Sequence, residues 1–224
     1  MSGWAAYMGA WALFLFTHAV PVRPPVKSWL IARLSPAGYG FAYSALSLGV
    51  LAWLFVAAAR APHVVLWPMP VAAHWIASAG MLPAVLLLSL TLGRPNPFSF
   101  GGAQNDRFDP DSPEVIGHIR HPVLVALGLW AGVHLVINGT LAHALMFAGF
   151  AAFAILGMRV IDRRKQREMG LDAWQQLRRR SQSARVTLSP LAGLRLAAGI
   201  VAFCALIAGH QWVSAVPIWP RFLR

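Results

Sequence analysis

The chain has 224 residues, of which 58% are hydrophobic and only 12% are charged. Its mean hydropathy of +0.58 lies above the range of soluble domains of this length, which excludes an ordinary water-soluble domain. A single cysteine, Cys204, excludes an intramolecular disulfide and a thiolate metal cluster.

Six apolar runs are long enough to cross a hydrocarbon core about 30 Å thick. They are residues 4–21, 39–59, 72–93, 122–137, 140–160 and 191–213. The sequence therefore predicts one all-α membrane domain over residues 1–224, a polytopic bundle of about six transmembrane helices in contact with lipid. The turn dipeptide Asn138-Gly139 separates the fourth run from the fifth and predicts a tight antiparallel hairpin.

Basic residues are distributed unevenly between the loops. Fifteen of the 19 Lys and Arg residues lie at 22–38, 94–121 and 158–190, whereas the loops of the other side hold three, including Arg221 and Arg224. Lys and Arg accumulate on the cytoplasmic side of membrane proteins. This asymmetry places the N-terminus outside and the three basic loops inside.

The net charge of +12 is therefore explained by the orientation of the protein in the membrane. We do not expect a nucleic-acid partner. The basic stretch 159–185, with Trp174 and Leu177 on its less polar side, is typical of a helix lying on anionic headgroups. The polar segment 94–119 contains four prolines and is predicted to be an irregular loop. Its acidic residues lack the spacing of a calcium loop and indicate a solvated surface.

The candidate for chemistry is His134, in the fourth run. An imidazole in hydrocarbon is costly unless it pairs, binds a metal or lines a polar cavity, so it marks a functional site by default. Under the predicted topology His74, His134 and His210 each lie a few residues inside a helix end, toward the outer face. Trp130 shares the helical face of His134 and would pack against an aromatic ligand. These features favour a haem held by histidines on facing helices.

Four sequence motifs resemble one family of membrane proteins. The motifs are Phe14–Pro24, Arg60–Trp67 leading to His74-Trp75, Arg94–Ser99, and Arg120-His121-Pro122 running through His134 to Asn138-Gly139. In combination they resemble the NnrU family, to which the 15-cis-zeta-carotene isomerases are more distantly related. The motifs cover about residues 14–139.

The resemblance implies a multi-pass protein of the bacterial inner (cytoplasmic) membrane, linked to denitrification and nitric oxide metabolism. The relationship to the isomerases implies a haem b held by two histidines, which fall on His18 and His134. The isomerases carry a Cys three residues before the second ligand, where this chain has Ala131. That difference argues against carotene isomerisation through a change of ligand.

The assignment of His18 conflicts with the predicted topology. His18 lies near the inner face and His134 near the outer face, about 15 Å apart along the membrane normal by the helical rise. Two axial ligands of one iron must lie at similar depth. His134 is therefore the first expected metal ligand, with His74 and His18 competing for the second position.

Three further functions stay open at this stage. One is a carotene isomerase. Another is a membrane methyltransferase of the isoprenylcysteine carboxyl type, in which Arg120 and His121 would lie at the cytoplasmic face and help to bind S-adenosylmethionine. The third is a non-enzymatic assembly factor for a nitric oxide reductase. Arg120 and His121 stand before Pro122 at a predicted helix start, where they form either a candidate anion site at the cytoplasmic face or a structural cap, with Arg120 anchoring the span at the headgroups. The sequence leaves enzyme status undecided.

Overall fold

A computed structural model describes residues 3–186 and 188–214 of the chain. Within these residues the regular structure is helical, apart from one isolated antiparallel bridge between Val65 and Thr140. The α-helices are α1 (Gly3–Ala19), α2 (Pro24–Ala59), α3 (Ala73–Thr91), α4 (Pro122–Ile137), α5 (Leu141–Met169), α6 (Leu171–Ser183) and α7 (Ala192–Ser214). The basic residues Arg221 and Arg224, used in the topology argument, lie outside the described residues.

Among the described residues, four helices are long and apolar enough to cross a membrane: α2, α3, α5 and α7. Helices α1 and α4 fall on the other two predicted spans and have 17 and 16 residues, which at a rise of 1.5 Å per residue makes each about 25 Å long. Large apolar side chains are exposed on several helices, among them Leu48 and Val201. Helices with this pattern suit a lipid environment. The prediction of an all-α membrane protein is confirmed, whereas the number of crossings stays a prediction.

The chain forms two compact units. The first contains the residues up to Trp67 together with Thr140–Met146. In it α1 packs on α2, with Tyr7 and Phe14 among the buried side chains. The Tyr7 hydroxyl donates a hydrogen bond of 2.8 Å to the Ala142 carbonyl, which ties the start of α5 into this unit.

Helix α2 begins earlier than the sequence predicted. Pro24 and Pro25 occupy its first turn, where a missing N–H costs nothing. Residues 22–38 were expected to form a loop, but the helix runs through them with one kink at Ser35, whose φ is 64°. The kink has a local cause, because the ring of Pro36 disfavours the helical conformation in the residue before it.

The second unit contains Pro68–Gly139 and the chain from Phe147 onward. In it α3 packs against both α4 and α7. A Cβ at Gly80 of α3 would overlap Cγ2 of Val133 on α4, so a larger residue there would force the Val133 side chain to shift. The side chain of Leu124 would lie 3.3 Å from a Cβ at Gly157 and Trp130 contacts Phe147, which confirms the antiparallel hairpin of α4 and α5.

The basic stretch 159–185 forms two helices, where the sequence suggested one. Gly170, with a φ of 84°, separates α5 from α6, and glycine adopts this conformation without the strain of a Cβ. The Trp174 ring of α6 packs edge-on against Phe98, with centroids 6.3 Å apart. The less polar side of α6 therefore contacts the 94–121 segment of the protein, where a contact with headgroups was expected.

Candidate functional site

A network of polar side chains forms where α4 begins and the apolar part of α5 ends. Asp162 accepts two hydrogen bonds from Arg120, at 3.0 Å from Nε and 2.7 Å from Nη2. The same carboxylate lies 2.9 Å from Nε2 of His121. A two-point arginine–carboxylate pair fixes orientation as well as charge. Helix α5 therefore holds the Arg and the His of the Arg-His-Pro motif in place.

His121 is fully enclosed in this network, with 2% of its surface exposed. Its Nδ1 lies 3.0 Å from the Ser99 hydroxyl. Burial lowers the pKa of His121 more strongly than the Asp162 carboxylate raises it. In the neutral imidazole Nε2–H donates to the Asp162 carboxylate, which only accepts, and Nδ1 accepts from the Ser99 hydroxyl.

Asn96 joins the loop motif to the helix motif. It is 1% exposed and donates from Nδ2 to the Arg120 carbonyl over 3.0 Å, while its Oδ1 accepts the Phe98 N–H. Two motifs 24 residues apart in the sequence are thus in direct contact. Their joint presence in the chain has a physical reason, since each satisfies buried polar groups of the other.

Arginine side chains of α6 contact the 94–121 segment. Arg178 is buried, donates to the Gly117 carbonyl over 2.5 Å and lies 5.9 Å from the centre of the Phe98 ring. At the exposed end of α6, Arg180 pairs with Asp111 and lowers the pKa of that carboxyl group. The acidic loop residues are thus partly used in ion pairs, because Glu114 also pairs with Arg94.

The expected anion site at Arg120 and His121 stays a prediction. The structure adds that the Arg120 guanidinium already has a carboxylate partner, which favours a structural role for this residue. Sequence reasoning included Ser99 only as the end of the Arg94–Ser99 motif and gave no role to Asp162, which lies in the basic stretch 159–185. A usable signal existed, since a lone carboxylate at the end of an apolar run needs a cationic partner.

His134 lies near the other end of α4, in an aromatic environment. Its Nδ1 is 2.8 Å from the Trp130 carbonyl, four residues earlier. Its ring lies 5.1 Å from both Trp130 and Phe147, centroid to centroid. Because a carbonyl only accepts, Nδ1 carries the proton and Nε2 carries the lone pair. Metal-binding histidines usually have this arrangement.

His18 has the same backbone hydrogen bond in the first unit. Its Nδ1 lies 2.8 Å from the Phe14 carbonyl, and its ring stacks on Phe14 with centroids 4.1 Å apart. Tyr43 approaches the same ring at 6.1 Å. His18 therefore also presents Nε2 as its lone-pair nitrogen, in a unit separate from that of His134.

The two histidines that the sequence grouped with His134 have different neighbours. His74 lies at the start of α3 and contacts the neighbouring Trp75 ring at 5.2 Å. His210 on α7 lies 6.4 Å from His134, centroid to centroid. The sequence grouped His210 with His74 and His134 but did not select it as a ligand. Among the described residues no group of three or more His, Cys, Asp or Glu side chains forms a metal site.

Replacement of Asp162 by Asn should destabilise the protein by about 1–3 kcal/mol. The substitution leaves the buried His121 and the partly buried Arg120 without a charged acceptor. The matched control is Asp172→Asn, at an exposed position on α6. Thermal unfolding in detergent should show a lower midpoint for Asp162→Asn alone. Equal midpoints for the two variants would show that the network does not stabilise the fold.

Comparison with known proteins gives one match. The sequence model described as NnrU protein matches residues 7–218, nearly the whole chain. No curated protein and no solved structure matches the chain. The matched region includes the Arg-His-Pro segment, the loop motif and both His18 and His134, so the chain belongs to the NnrU family.

Proposed function

We propose that this chain is a haem-binding protein of the bacterial cytoplasmic membrane that supports nitric oxide metabolism during denitrification. The observation that carries the proposal is the environment of His134. Its Nδ1 is held by the Trp130 carbonyl, which directs the lone pair of Nε2 away from the helix backbone. The family membership supports the same role, since His134 lies within the region of the chain that the family model matches.

The chemistry of the surroundings fits a haem better than a hydrated metal ion. Trp130, Phe147 and Phe150 form a continuous aromatic contact beside His134, with centroid distances of 5.3 and 5.6 Å from Trp130. Phe147 and Phe150 are buried. Flat apolar rings suit a macrocycle, whereas a hydrated cation would need oxygen ligands.

A haem bound at His134 would supply an iron that binds a small neutral gas when a second, displaceable ligand leaves. The residues around it supply an apolar environment. No charged side chain is needed to recognise such a ligand, and it reaches the site through lipid. Nitric oxide has these properties, which connects the site to denitrification. Support of a nitric oxide reductase, by gas handling or by assembly, is the partnership that this proposal includes.

The proposal includes six crossings with the N-terminus outside. The antiparallel hairpin of α4 and α5 requires that these two helices cross in opposite directions if both span. Helix α4 begins at the Arg120 network and α5 continues into its basic end at Met169. Both ends are cationic, which agrees with a cytoplasmic location for them.

Methyl transfer is less well supported than haem binding. It requires the Arg-His-Pro segment to face a ligand, but Arg120 and His121 are both engaged by Asp162. Carotene isomerisation through a thiolate lacks its group, since Ala131 stands at the relevant position and is completely buried. A small cavity beside Arg120, His121 and Met158 is the one observation that bears on methyl transfer, and the isomerase alternative gains none from the described residues.

The protein purified in mild detergent should show a haem spectrum, with a Soret band and, after dithionite reduction, split α and β bands. His134→Ala should remove the haem or change its spectrum strongly while the protein still inserts. His63→Ala, at an exposed histidine in the first unit, is the matched control. An unchanged spectrum and full occupancy in His134→Ala would reject the assignment.

Reporter fusions test the topology. Fusions after Arg107 and after Arg178 should both report the cytoplasm, because both residues lie in the basic segments. A fusion after Arg60 should report the periplasm. A periplasmic signal from either of the first two fusions would overturn the proposed orientation.

Growth on nitrate without oxygen tests the physiological role. A deletion strain should accumulate nitric oxide compared with its parent. The intact gene should correct the defect, and the His134→Ala form should not. A deletion strain that removes nitric oxide at the parental rate would contradict the proposed role, even if the purified protein contains haem.

A further inference from the structure

We propose that Arg159, Arg163 and Arg167 of α5, which we name the arginine stripe, bind an anionic phospholipid. Lipid binding at the stripe is separate from the proposed function and needs no haem. It moves the expected contact with headgroups from α6 to α5, because the less polar side of α6 packs on Phe98 of the protein.

The three arginines of the stripe lie on one face of α5. They are four residues apart, so successive side chains differ by about 40° around the helix axis and by about 6 Å along it. All three residues are exposed. Ala154, about two and a half turns before Arg163, is on the opposite side of the helix and is completely buried. The stripe therefore points away from the packed side of α5.

The helix is apolar and exposed just before the stripe begins. Ile155 and Leu156, each 55% exposed, precede Arg159 by one turn or less. The uncharged part of α5, residues 141–158, is about 27 Å long at 1.5 Å per residue, close to the hydrocarbon thickness of about 30 Å. Arg159 therefore lies where the acyl chains end. A phospholipid with its chains against Leu156 brings its phosphate group to Arg159 and Arg163.

Within the part of the chain that the structure describes, the stripe has no carboxylate partner. The carboxylates of the same segment of α5 have other partners. Asp162 pairs with Arg120. Glu168 pairs with Arg164 and Lys165. Cations four residues apart on a helix repel each other, and a phosphate group between them removes this repulsion by accepting hydrogen bonds from both guanidinium groups.

A phospholipid fits this surface better than a soluble anion does. Inorganic phosphate would match the charge of the stripe but would leave Ile155 and Leu156 without an apolar partner. An anionic phospholipid matches both, and each basic residue near an anionic membrane surface raises the affinity about fivefold. The expected occupant is therefore a lipid of the leaflet that surrounds the end of α5.

Lipid preference is measured on the full-length protein in phosphatidylcholine vesicles, by electron paramagnetic resonance of spin-labelled phosphatidylglycerol or spin-labelled phosphatidylcholine. Wild type should prefer the anionic lipid, and high salt should weaken the preference. The stripe variant, with Arg159→Gln, Arg163→Gln and Arg167→Gln, should lose this preference by about fivefold or more. The same three positions changed to Lys should keep most of it, because the charge remains.

The matched control removes three exposed cations that lie off the stripe, through Arg107→Gln, Arg179→Gln and Arg185→Gln. It should keep the preference of wild type, since it has the same net charge as the stripe variant but an intact stripe. If the stripe variant fails to insert, Arg163→Gln alone replaces it and should weaken the preference by up to about fivefold.

Three results would overturn lipid binding at the stripe. The first is a wild-type protein without preference for phosphatidylglycerol. The second is an unchanged preference in the inserted stripe variant. The third is an equal loss in the stripe variant and in the control, which would show that the total charge of the basic segments attracts the lipid and that α5 has no particular site.

Discussion

The contact of the Asp162 carboxylate with Arg120 and His121 orders one end of the second unit. The carboxylate comes from the last third of the 29-residue helix α5 and holds two consecutive residues, Arg120 and His121, that precede α4. An ion pair of this kind is a poor source of net stability when compared with apolar packing, but losing one partner is costly. Its effect is to fix where α4 starts. Pro122 then begins the helix, and every later residue of α4, including His134, is placed relative to that start.

The same interaction explains why the 94–121 loop is ordered without regular structure. Asn96 and Ser99 are buried because they complete the hydrogen bonds of Arg120 and His121. Phe98, fully buried between them, then provides the surface on which Trp174 and Arg178 of α6 pack. Asp162 on α5 thus helps to order the loop, and the ordered loop provides the surface on which α6 packs.

Hydrophobicity and turn chemistry predicted much of this fold, and long-range polar pairing escaped prediction. The six apolar runs, the hairpin at Asn138-Gly139 and the helix start at Pro122 are local features, and each appears in the structure. The continuation of α2 through residues 24–34 was missed because its basic residues resembled a loop. A lone carboxylate at the end of an apolar run could have drawn attention to Asp162, but a single sequence does not show which cation it pairs with, here Arg120, 42 residues away.

The candidate metal ligands also illustrate that local features can be predicted from the sequence and long-range contacts cannot. His18 and His134 have the same hydrogen bond to the carbonyl four residues earlier. Any helical histidine with a suitable side-chain rotamer can form this bond, so it marks a residue that is able to bind a metal without showing that it does. What distinguishes His134 is a second imidazole across the helix interface, and the helix that carries it is neither adjacent in sequence nor part of the motifs. The ring contact between His134 and His210 depends on the packing of α4 and α7 on α3, where Gly80 and Gly199 leave room for the side chains of Val133 and Ser89. A larger residue at either position would meet these side chains and force them to shift. Residues that touch neither imidazole thus contribute to the packing that brings the two rings together, and this contribution cannot be seen in the motifs.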